Sequence, residues 1–289
     1  MIGKVFRVMG ANYLVGTDKD YNCILSGTIK KNNKPLVDDM VEFDLNDYDQ
    51  NKNVITKILP RKNSLVRPAI ANLDQLFIVL SVLPKPDFML IDKLIIYARI
   101  NSITPIIVIN KSDLCDQNAV NEIKSQFYGL QVVVTSAKLN KTDEIKSLLK
   151  GKTSAFAGQS AVGKSSLINA INPKFNLLTN GLSQKIDRGQ HTTRHNEIYR
   201  VDDDIYIADT PGFSMLSLDI KPSELKLYYD DFNKFEENCR YVGCDHINCK
   251  GKDCGVVQAV EDNEICLSRY ERYCKIYDEL KEKWERKYD

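Results

Sequence analysis

The order of three short motifs is the feature of this sequence that most constrains its fold. An Asn-Lys-Ser-Asp run at residues 110–113 and a Ser-Ala-Lys run at residues 136–138 both come before a glycine-rich run at residues 158–165. In α/β nucleotide-binding domains that carry all three motifs, the glycine-rich run ordinarily comes first. The order therefore predicts a circularly permuted α/β domain, whose chain has been cut and rejoined at a different point on the same sheet.

The glycine-rich run at residues 158–165 matches the pattern G-x-x-x-x-G-K-[ST] and lies between a predicted strand and a predicted helix. Glycines let the backbone wrap around phosphate groups, so that N–H groups and the helix N-terminus face the negative charge. We expect Lys164 to pair with the β- and γ-phosphates and the hydroxyl of Ser165 to bind Mg²⁺. The run therefore indicates a site for a nucleoside triphosphate.

The identity of the base is indicated by the run at residues 110–113, which follows a predicted buried strand. An ionised Asp113 carboxylate can accept hydrogen bonds from N1–H and the exocyclic amine of guanine, whereas adenine has no N1–H to donate. A mismatch of this kind in a buried site gives strong discrimination. Lys111 and Lys138 can lay their methylene stems against the base, and the N–H of Ala137 can meet the guanine carbonyl. The predicted ligand is GTP or GDP.

A metal site and a switch segment are predicted beside the triphosphate. Asp209 ends a predicted strand and fits the aspartate that holds Mg²⁺ through water, and Gly212 fits the glycine whose N–H meets the γ-phosphate. Residues 189–195 form a polar, glycine-led stretch of the kind that orders on the γ-phosphate and is released after hydrolysis. Thr192 or Thr193 supplies a second Mg²⁺ ligand there, and the sequence does not distinguish between these two adjacent threonines.

Catalysis needs a group that orients water, and the glutamine that usually follows Gly212 is replaced by Phe213. His191 is our candidate, the alternative being a solvent-exposed loop histidine, and His195 is a weaker candidate. We assign catalysis to His191, with Lys164 and Thr193. The residues assigned to the nucleotide are Asn110, Lys111, Asp113, Ser136, Ala137, Lys138, Gly158, Gln159, Ser160, Ala161, Val162, Gly163, Lys164, Ser165, Ser166, Thr192, Asp209 and Gly212.

Three domains are predicted from the way the pattern changes along the chain. Residues 1–63 alternate short apolar runs with Gly, Asp and Asn clusters, which favours an OB-type β-barrel of about five strands. A generic barrel that only mediates domain packing is the alternative. Residues 64–218 alternate strands with helices, as in a parallel sheet with crossover connections. Residues 219–289 are helical and hold a cysteine-rich window.

The cysteine-rich window suggests a metal site. Four of the eight cysteines fall between residues 239 and 254, close to His246. In a cytosolic protein such clustering favours metal over disulfides, and a module this small has little core to fold without metal. Reduced cysteines without metal are the alternative. The predicted site is a structural Zn²⁺ held by three cysteines and a histidine.

Composition sets the remaining expectations. The chain has 289 residues, 43% of them hydrophobic and 27% charged, with a net charge of +1. Any contact with nucleic acid must therefore come from a local patch rather than from the overall field. No stretch is long and apolar enough for a signal peptide or a membrane span, so we expect a cytoplasmic protein with no membrane partner. No heptad seam requires a dimer, and a monomer is expected.

With these motifs assembled, the chain resembles the circularly permuted RsgA family of small ribosomal subunit biogenesis GTPases over nearly its full length. The resemblance implies that the barrel and the zinc domain bind ribosomal RNA while GTP controls release during late 30S maturation. The family's zinc ligands follow Cys-x4-Cys-x-His-x5-Cys, which Cys239, Cys244 and His246 match. Cys254 lies two residues beyond the expected fourth position, as after a two-residue insertion, and Cys249 is its rival.

Two functions from different classes remain in competition. The first is a slow GTPase that the small subunit stimulates, and the second is a GTP-dependent RNA-binding checkpoint module in which hydrolysis is incidental. The missing glutamine keeps the second open. A P-loop kinase or ATPase is disfavoured by Asp113 and by the lack of an acceptor-substrate domain.

Overall fold

The fold is described from a computed structural model that covers residues 1–27, 29, 33–46, 53–127, 129–173, 197–209, 213 and 216–286. In these ranges the first strands form a closed barrel: β1 pairs with both β2 and β4, and β5 pairs with β3 and β4. The barrel core is made by alternate residues such as Val5, Val15 and Phe43. A five-stranded barrel at the N-terminus is therefore confirmed. Its strands are β1 (Ile2–Met9), β2 (Asn12–Gly16), β3 (Asp20–Leu25), β4 (Met40–Asp44) and β5 (Asn53–Ile58).

The central part of the chain is an α/β domain built on five parallel strands and one antiparallel edge strand. The described strands run in the order β10-β9-β8-β11-β13-β12. A separate two-stranded ribbon precedes them. The elements are β6 (Ser64–Leu65), β7 (Ile70–Ala71), β8 (Gln75–Ser81), α1 (Phe88–Ile100), β9 (Thr104–Asn110), α2 (Gln117–Ser125), β10 (Gln131–Val134), α3 (Asp143–Leu149), β11 (Thr153–Ala157), α4 (Lys164–Ile171), β12 (Glu197–Asp202) and β13 (Ile205–Asp209).

The helices cover both faces of this sheet. Leu76, Ile78 and Leu80 of β8 pack in the cluster that contains α1 and α2, whereas Phe77 and Val79 pack in the cluster that contains α3 and α4. Both sets of side chains are buried, which explains why β8 has no polar alternation. The chain therefore winds from β8 to β10 on one face and returns to β11 on the other.

The point where the winding reverses lies between β8 and β11, which are neighbours in the sheet. In open α/β sheets, ligands bind outside the carboxyl ends of the strands at such a point. Here the first strand of the domain, β8, lies at the centre of the sheet, and β11 with its glycine-rich loop comes later in the chain. The circular permutation predicted from the motif order is confirmed.

The C-terminal module is helical and packs on the outer side of α1. It contains α5 (Asp230–Glu236), α6 (Gly255–Glu261) and α7 (Leu267–Glu285), with short 3₁₀ helices at Pro222–Tyr228 and Gly251–Asp253. Tyr273 packs against Phe232 and Tyr229, with ring centroids 4.8 and 5.0 Å apart. Ile96 of α1 belongs to the same apolar cluster. Helix α1 is therefore shared between the sheet and the module.

The barrel is joined to the α/β sheet by a strand pair that the sequence did not predict. β1 pairs with β12 opposite Glu197, and Arg7 forms a 2.6 Å ion pair with that residue. The result is one described sheet of eleven strands that runs from β10 to β4. The domain limits 1–63, 64–218 and 219–289 stay predictions. Among the described residues, no helix combines the length and apolarity that a bilayer crossing requires.

Candidate nucleotide site and metal cluster

The predicted nucleotide motifs meet at one edge of the sheet. Asn110 is the last residue of β9, Gly158 follows β11 directly, and Asp209 ends β13. Ser136 lies two residues beyond β10. Because these strands are parallel, their carboxyl ends lie along the same edge. The structure thus brings the base-reading and phosphate-binding motifs together although the chain visits them in permuted order.

The phosphate loop depends on two of its glycines. Gly158 has a φ of +135°, and a Cβ added there would lie 2.0 Å from the carbonyl oxygen of Val79. Gly163 precedes α4 with a φ of +91°, and a Cβ there would lie 2.6 Å from Nδ2 of Asn110. A side chain at either position would force the loop away from the strand ends. The two glycines of the pattern G-x-x-x-x-G-K-S are therefore required by backbone conformation and by close approach.

The side chain of Lys164 folds back over the first residues of the phosphate loop. Its Nζ donates hydrogen bonds to the carbonyls of Gly158 and Gln159 at 2.8 and 2.7 Å. Burial lowers the pKa of Lys164 from its ordinary value, because the charged form loses water. The negative charge of a bound phosphate would raise the pKa of Lys164 again, because it stabilises the ammonium. Ser165 and Ser166 occupy the first turn of α4 beside it, where both are half-buried.

Asn110 connects three segments of the site. Its side chain is 1% exposed. Nδ2 donates to the carbonyl of Val162 at 2.9 Å, and Oδ1 accepts from the backbone N–H of Ala137 at 3.2 Å. Asn110 thus fixes the phosphate loop and the Ser-Ala-Lys segment to the end of β9. The N–H of Ala137, which we expected to face the guanine carbonyl, bonds to Asn110 in this structure.

Asp113 and Ser136 form a pair beside the base-reading segment. The hydroxyl of Ser136 donates to the carboxylate of Asp113. This hydrogen bond is the main cause that lowers the pKa of Asp113, so the exposed carboxylate stays ionised at neutral pH. Lys111 has a φ of +59°, and its Nζ donates to the carbonyls of Leu83 and Ala161 at 3.0 and 2.7 Å. Its stem therefore spans from the base-reading segment to the phosphate loop.

Several predicted site residues lie outside the described part of the chain. These are His191, Thr192, Thr193, His195 and Gly212, and of Asp209 only the strand position is described. The predicted roles of these residues in binding Mg²⁺ and in orienting water stay predictions. Phe213 is described: it is 6% exposed, and its ring packs edge-on to Tyr97 with centroids 6.3 Å apart.

The cysteine-rich window folds so that four donor atoms converge. The ligand atoms of Cys239, Cys244, His246 and Cys254 all lie within 4.8 Å of one another. Cys249 is not part of this set, although its Sγ lies 3.6 Å from that of Cys244. His246 is fully buried, and within the described structure its Nε2 has no hydrogen-bond partner.

The distances in the cluster match a tetrahedral zinc site. Zinc bonds of about 2.3 Å to sulfur and 2.05 Å to nitrogen give tetrahedral edges of roughly 3.8 Å between sulfurs and 3.6 Å between sulfur and nitrogen. The Sγ of Cys254 lies 3.9 Å from those of Cys239 and Cys244. Nδ1 of His246 lies 3.6 Å from the Sγ of Cys239 and 3.4 Å from that of Cys254. Four of the six edges between the donor atoms therefore match one tetrahedral metal ion, and the two remaining edges, from Cys244 to Cys239 and to His246, are within 4.8 Å.

The comparisons with known proteins agree with this arrangement. The family model described as RsgA GTPase matches residues 58–219. A "Small ribosomal subunit biogenesis GTPase RsgA" from Caldanaerobacter subterraneus subsp. tengcongensis is 42% identical over 293 residues, which cover 99% of this chain and 98% of that protein. The chain belongs to the RsgA GTPase family. A protein of the same name from Agathobacter rectalis is 38% identical over 97% of this chain and 98% of its own length.

Two solved structures place this RsgA-family chain among permuted GTPases. The crystal structure of YjeQ from Thermotoga maritima superposes with a TM-score of 0.81 at 35% identity and covers 96% of this chain and 98% of its own. The crystal structure titled "YloQ, a circularly permuted GTPase" superposes with a TM-score of 0.79 at 34% identity, covering 98% and 95%. The likeness extends over the barrel, the α/β domain and the C-terminal module together.

Sequence reasoning missed the tyrosines that hold the metal cluster of this RsgA-family protein. The hydroxyl of Tyr270 donates to the carbonyl of His246 at 2.7 Å, and that of Tyr273 donates to the carbonyl of Asp245 at 2.7 Å. Both tyrosines lie on α7, three residues apart, and so share one face of the helix. The i, i+3 spacing was the available signal. Their hydrogen bonds fix the turn that carries His246, which has a φ of +59°.

Proposed function

We propose that this protein is a GTPase that acts in late maturation of the small ribosomal subunit and hydrolyses GTP when bound to that subunit. The observation that carries the proposal is the meeting of Asp113, Asn110 and the 158–165 loop at one sheet edge, in a chain of the RsgA GTPase family. The relatives named small ribosomal subunit biogenesis GTPase RsgA are matched over nearly all of this chain.

The chemistry of hydrolysis is positioning and charge neutralisation, because the triphosphate supplies the reactive bond. The N–H groups of residues 158–165 and the ammonium of Lys164 bind the β- and γ-phosphates. Ser165, Asp209 and Thr193 or Thr192 would hold Mg²⁺, which would supply charge neutralisation at the phosphate oxygens. We assign the orientation of the attacking water to His191.

The metal cluster holds one structural Zn²⁺ in this proposal. Three thiolates and an imidazole are donors that suit Zn²⁺ rather than Mg²⁺ or Ca²⁺. Cys239, Cys244, His246 and Cys254 are the ligands, and the tetrahedral distances support Cys254 as the fourth. Binding of the ion adds to the folding free energy of this small module. Its role is to shape the module and not to react.

The partner is the small subunit and its ribosomal RNA, contacted by the barrel and by the C-terminal module. Both are attached to the GTPase domain, the barrel through β12 and the module through α1. The overall charge of only +1 is compatible with a ribosomal partner, because local basic patches suffice for binding RNA. A ribosomal partner also fits the proposed cytoplasmic location. We propose a monomer.

The second candidate function, a GTP-dependent RNA-binding checkpoint module, is favoured by one observation. Phe213 replaces the water-orienting glutamine of ordinary GTPases and is buried against Tyr97. It therefore offers no group to an attacking water. If no residue from the switch segment takes over, GTP binding controls RNA binding while hydrolysis contributes nothing.

The experiment that separates the two candidates measures GTP hydrolysis by the protein alone, with small subunits and with large subunits. We expect stimulation by small subunits only. The variant His191→Ala should lose the stimulated rate while it still binds the subunit, and His195→Ala tests the weaker candidate of the same segment: if only this second variant loses the stimulated rate, the role belongs to His195. Equal slow rates under all three conditions would exclude the enzyme reading. Stimulation by both subunits would exclude the small subunit as the specific partner.

A further inference from the structure

Gln159, the second residue of the phosphate loop, directs its side chain to the segment between β8 and α1. Its Oε1 accepts a hydrogen bond from the backbone N–H of Asp87 at 2.7 Å, and its Nε2 donates one to the carbonyl of Lys85 at 3.0 Å. Its own backbone carbonyl accepts a hydrogen bond from Nζ of Lys164 at 2.7 Å. One residue therefore contacts both the phosphate-binding lysine and the segment that leads into α1.

Helix α1 begins where Gln159 binds. Asp87 is the N-cap of α1, and its Oδ1 accepts a hydrogen bond from the N–H of Leu90 at 3.0 Å. The thirteen residues of the helix extend for about 20 Å at 1.5 Å per residue. A displacement of the phosphate loop that pulls on the N-cap is therefore carried along the whole helix, because a hydrogen-bonded helix moves as a unit.

The other end of the connection is a buried cluster of charges between α1 and α7. Asp92 is 1% exposed, and its carboxylate pairs with Arg269 at 2.9 Å and with Arg272 at 2.6 Å. Arg269 also pairs with Asp231 of the C-terminal module. Separating such pairs would leave buried charges without partners, which is strongly unfavourable. The module therefore follows α1.

We propose that Gln159 is a positioning residue that links the phosphate loop to α1, so that nucleotide binding and the packing of the C-terminal module on α1 are coupled. A nucleotide fixes the loop, the amide of Gln159 fixes residues 85–87, and α1 presents Asp92 to the arginines of α7. Coupling between two sites is reciprocal, so nucleotide binding must strengthen this interface as much as the interface strengthens nucleotide binding. The inference rests on nucleotide binding and not on the ribosomal role.

The test compares Gln159→Ala and Gln159→Glu with the wild type, and uses Gln258→Ala as the matched control. Gln258 also makes two side-chain hydrogen bonds, both to Asp262 at 3.2 Å, but it lies on α6. Three quantities are measured: affinity for GDP and for a non-hydrolysable GTP analogue, KM and kcat for GTP, and hydrogen exchange of peptides from α1 and α7 with and without nucleotide.

We expect Gln159→Ala to weaken nucleotide affinity about tenfold, as the loss of two hydrogen bonds implies. KM should rise by the same factor, while kcat at saturating GTP changes less than threefold. Wild-type protein and Gln258→Ala should show slower exchange in α7 when nucleotide binds, and Gln159→Ala should lose this slowing even at saturating nucleotide. Gln159→Glu keeps the acceptor for Asp87 but opposes the Lys85 carbonyl, so its slowing should be intermediate.

Two results would overturn the proposal. One is a wild-type protein whose α7 exchange is unaffected by nucleotide. The other is a Gln159→Ala variant that weakens nucleotide binding yet keeps the full slowing of exchange in α7, which makes Gln159 a local support of the loop. If Gln159→Ala does not fold, as judged by its thermal transition without nucleotide, Gln159→Glu decides the same question because it retains one of the two hydrogen bonds.

Discussion

Replacement of Asn110 by alanine tests whether one buried amide holds the nucleotide site together. The change removes the donor to Val162 at 2.9 Å and the acceptor for the N–H of Ala137 at 3.2 Å. Each polar group left unpaired in a buried place costs about 1–3 kcal/mol. We therefore expect the free energy of unfolding to fall by about 2–6 kcal/mol. At the lower limit of about 2 kcal/mol, the same loss of order weakens GDP binding roughly 30-fold.

The assays for this prediction are urea denaturation and titration with a fluorescent GDP analogue. Asn121→Ala is the control, because Asn121 is exposed on α2, where its Oδ1 accepts a hydrogen bond from Nε2 of Gln117 at 2.9 Å. Its effect should stay within about 0.5 kcal/mol. Asn110→Asp keeps the acceptor but places a negative oxygen against the Val162 carbonyl, so it should be at least as damaging as alanine. The reasoning is refuted if Asn110→Ala changes the free energy of unfolding by less than about 1 kcal/mol, the scale of a single hydrogen bond, and changes the GDP affinity less than about threefold.

Three further predictions concern charge, base and metal. Burial raises the pKa of Asp38 from 3.8 to about 6, so the folded state retains a proton that the unfolded chain releases. The stability of wild type relative to Asp38→Asn should therefore fall by about 2–3 kcal/mol between pH 4 and pH 7, and a pH-independent difference in urea denaturation contradicts this. Asp113→Asn should lose GTP affinity at least about 100-fold and bind xanthosine nucleotides better, because the carboxylate accepts both guanine donors; unchanged competition titrations exclude the assignment. Cys254→Ser should lose stoichiometric zinc in elemental analysis while Cys249→Ser retains it, and the reverse result makes Cys249 the ligand.

The fold was accessible from the sequence wherever local pattern and burial agree. The barrel strands, and β9 before the base-reading motif, were predicted because short apolar runs mark them directly. β12 was missed because Glu197–Asp202 is short and has no continuous apolar run, although it lies between β13 and β1 in the sheet. Its pairing with β13 and its contact with β1 are made by residues distant in sequence. Such a segment becomes recognisable as a strand only when its partners are in place.

The site divides in a similar way. Asp113, Lys164 and Ser165 were named from motifs whose chemistry is contained in a few consecutive residues. The hydrogen bond between the side chain of Gln159 and the N–H of Asp87 was not foreseen, and neither was the charge cluster around Asp92. In both cases the partners lie on other elements. No spacing rule joins Asp92 to an arginine on α7. Burial, which makes such pairing obligatory, is known only once the module has packed on α1.

By itself, the sequence determined the ligand class, the permutation and the presence of a cysteine-rich module. A motif that binds phosphate or reads a base is local, and the order of motifs is a covalent property that folding does not change. Only the tertiary structure shows which donor atoms converge: the set contains Cys254, which the sequence favoured over its rival Cys249, together with Cys239, Cys244 and His246. It also decided that α1 connects the phosphate loop to that module. Convergence and connection are distances between remote residues, and those are set by packing.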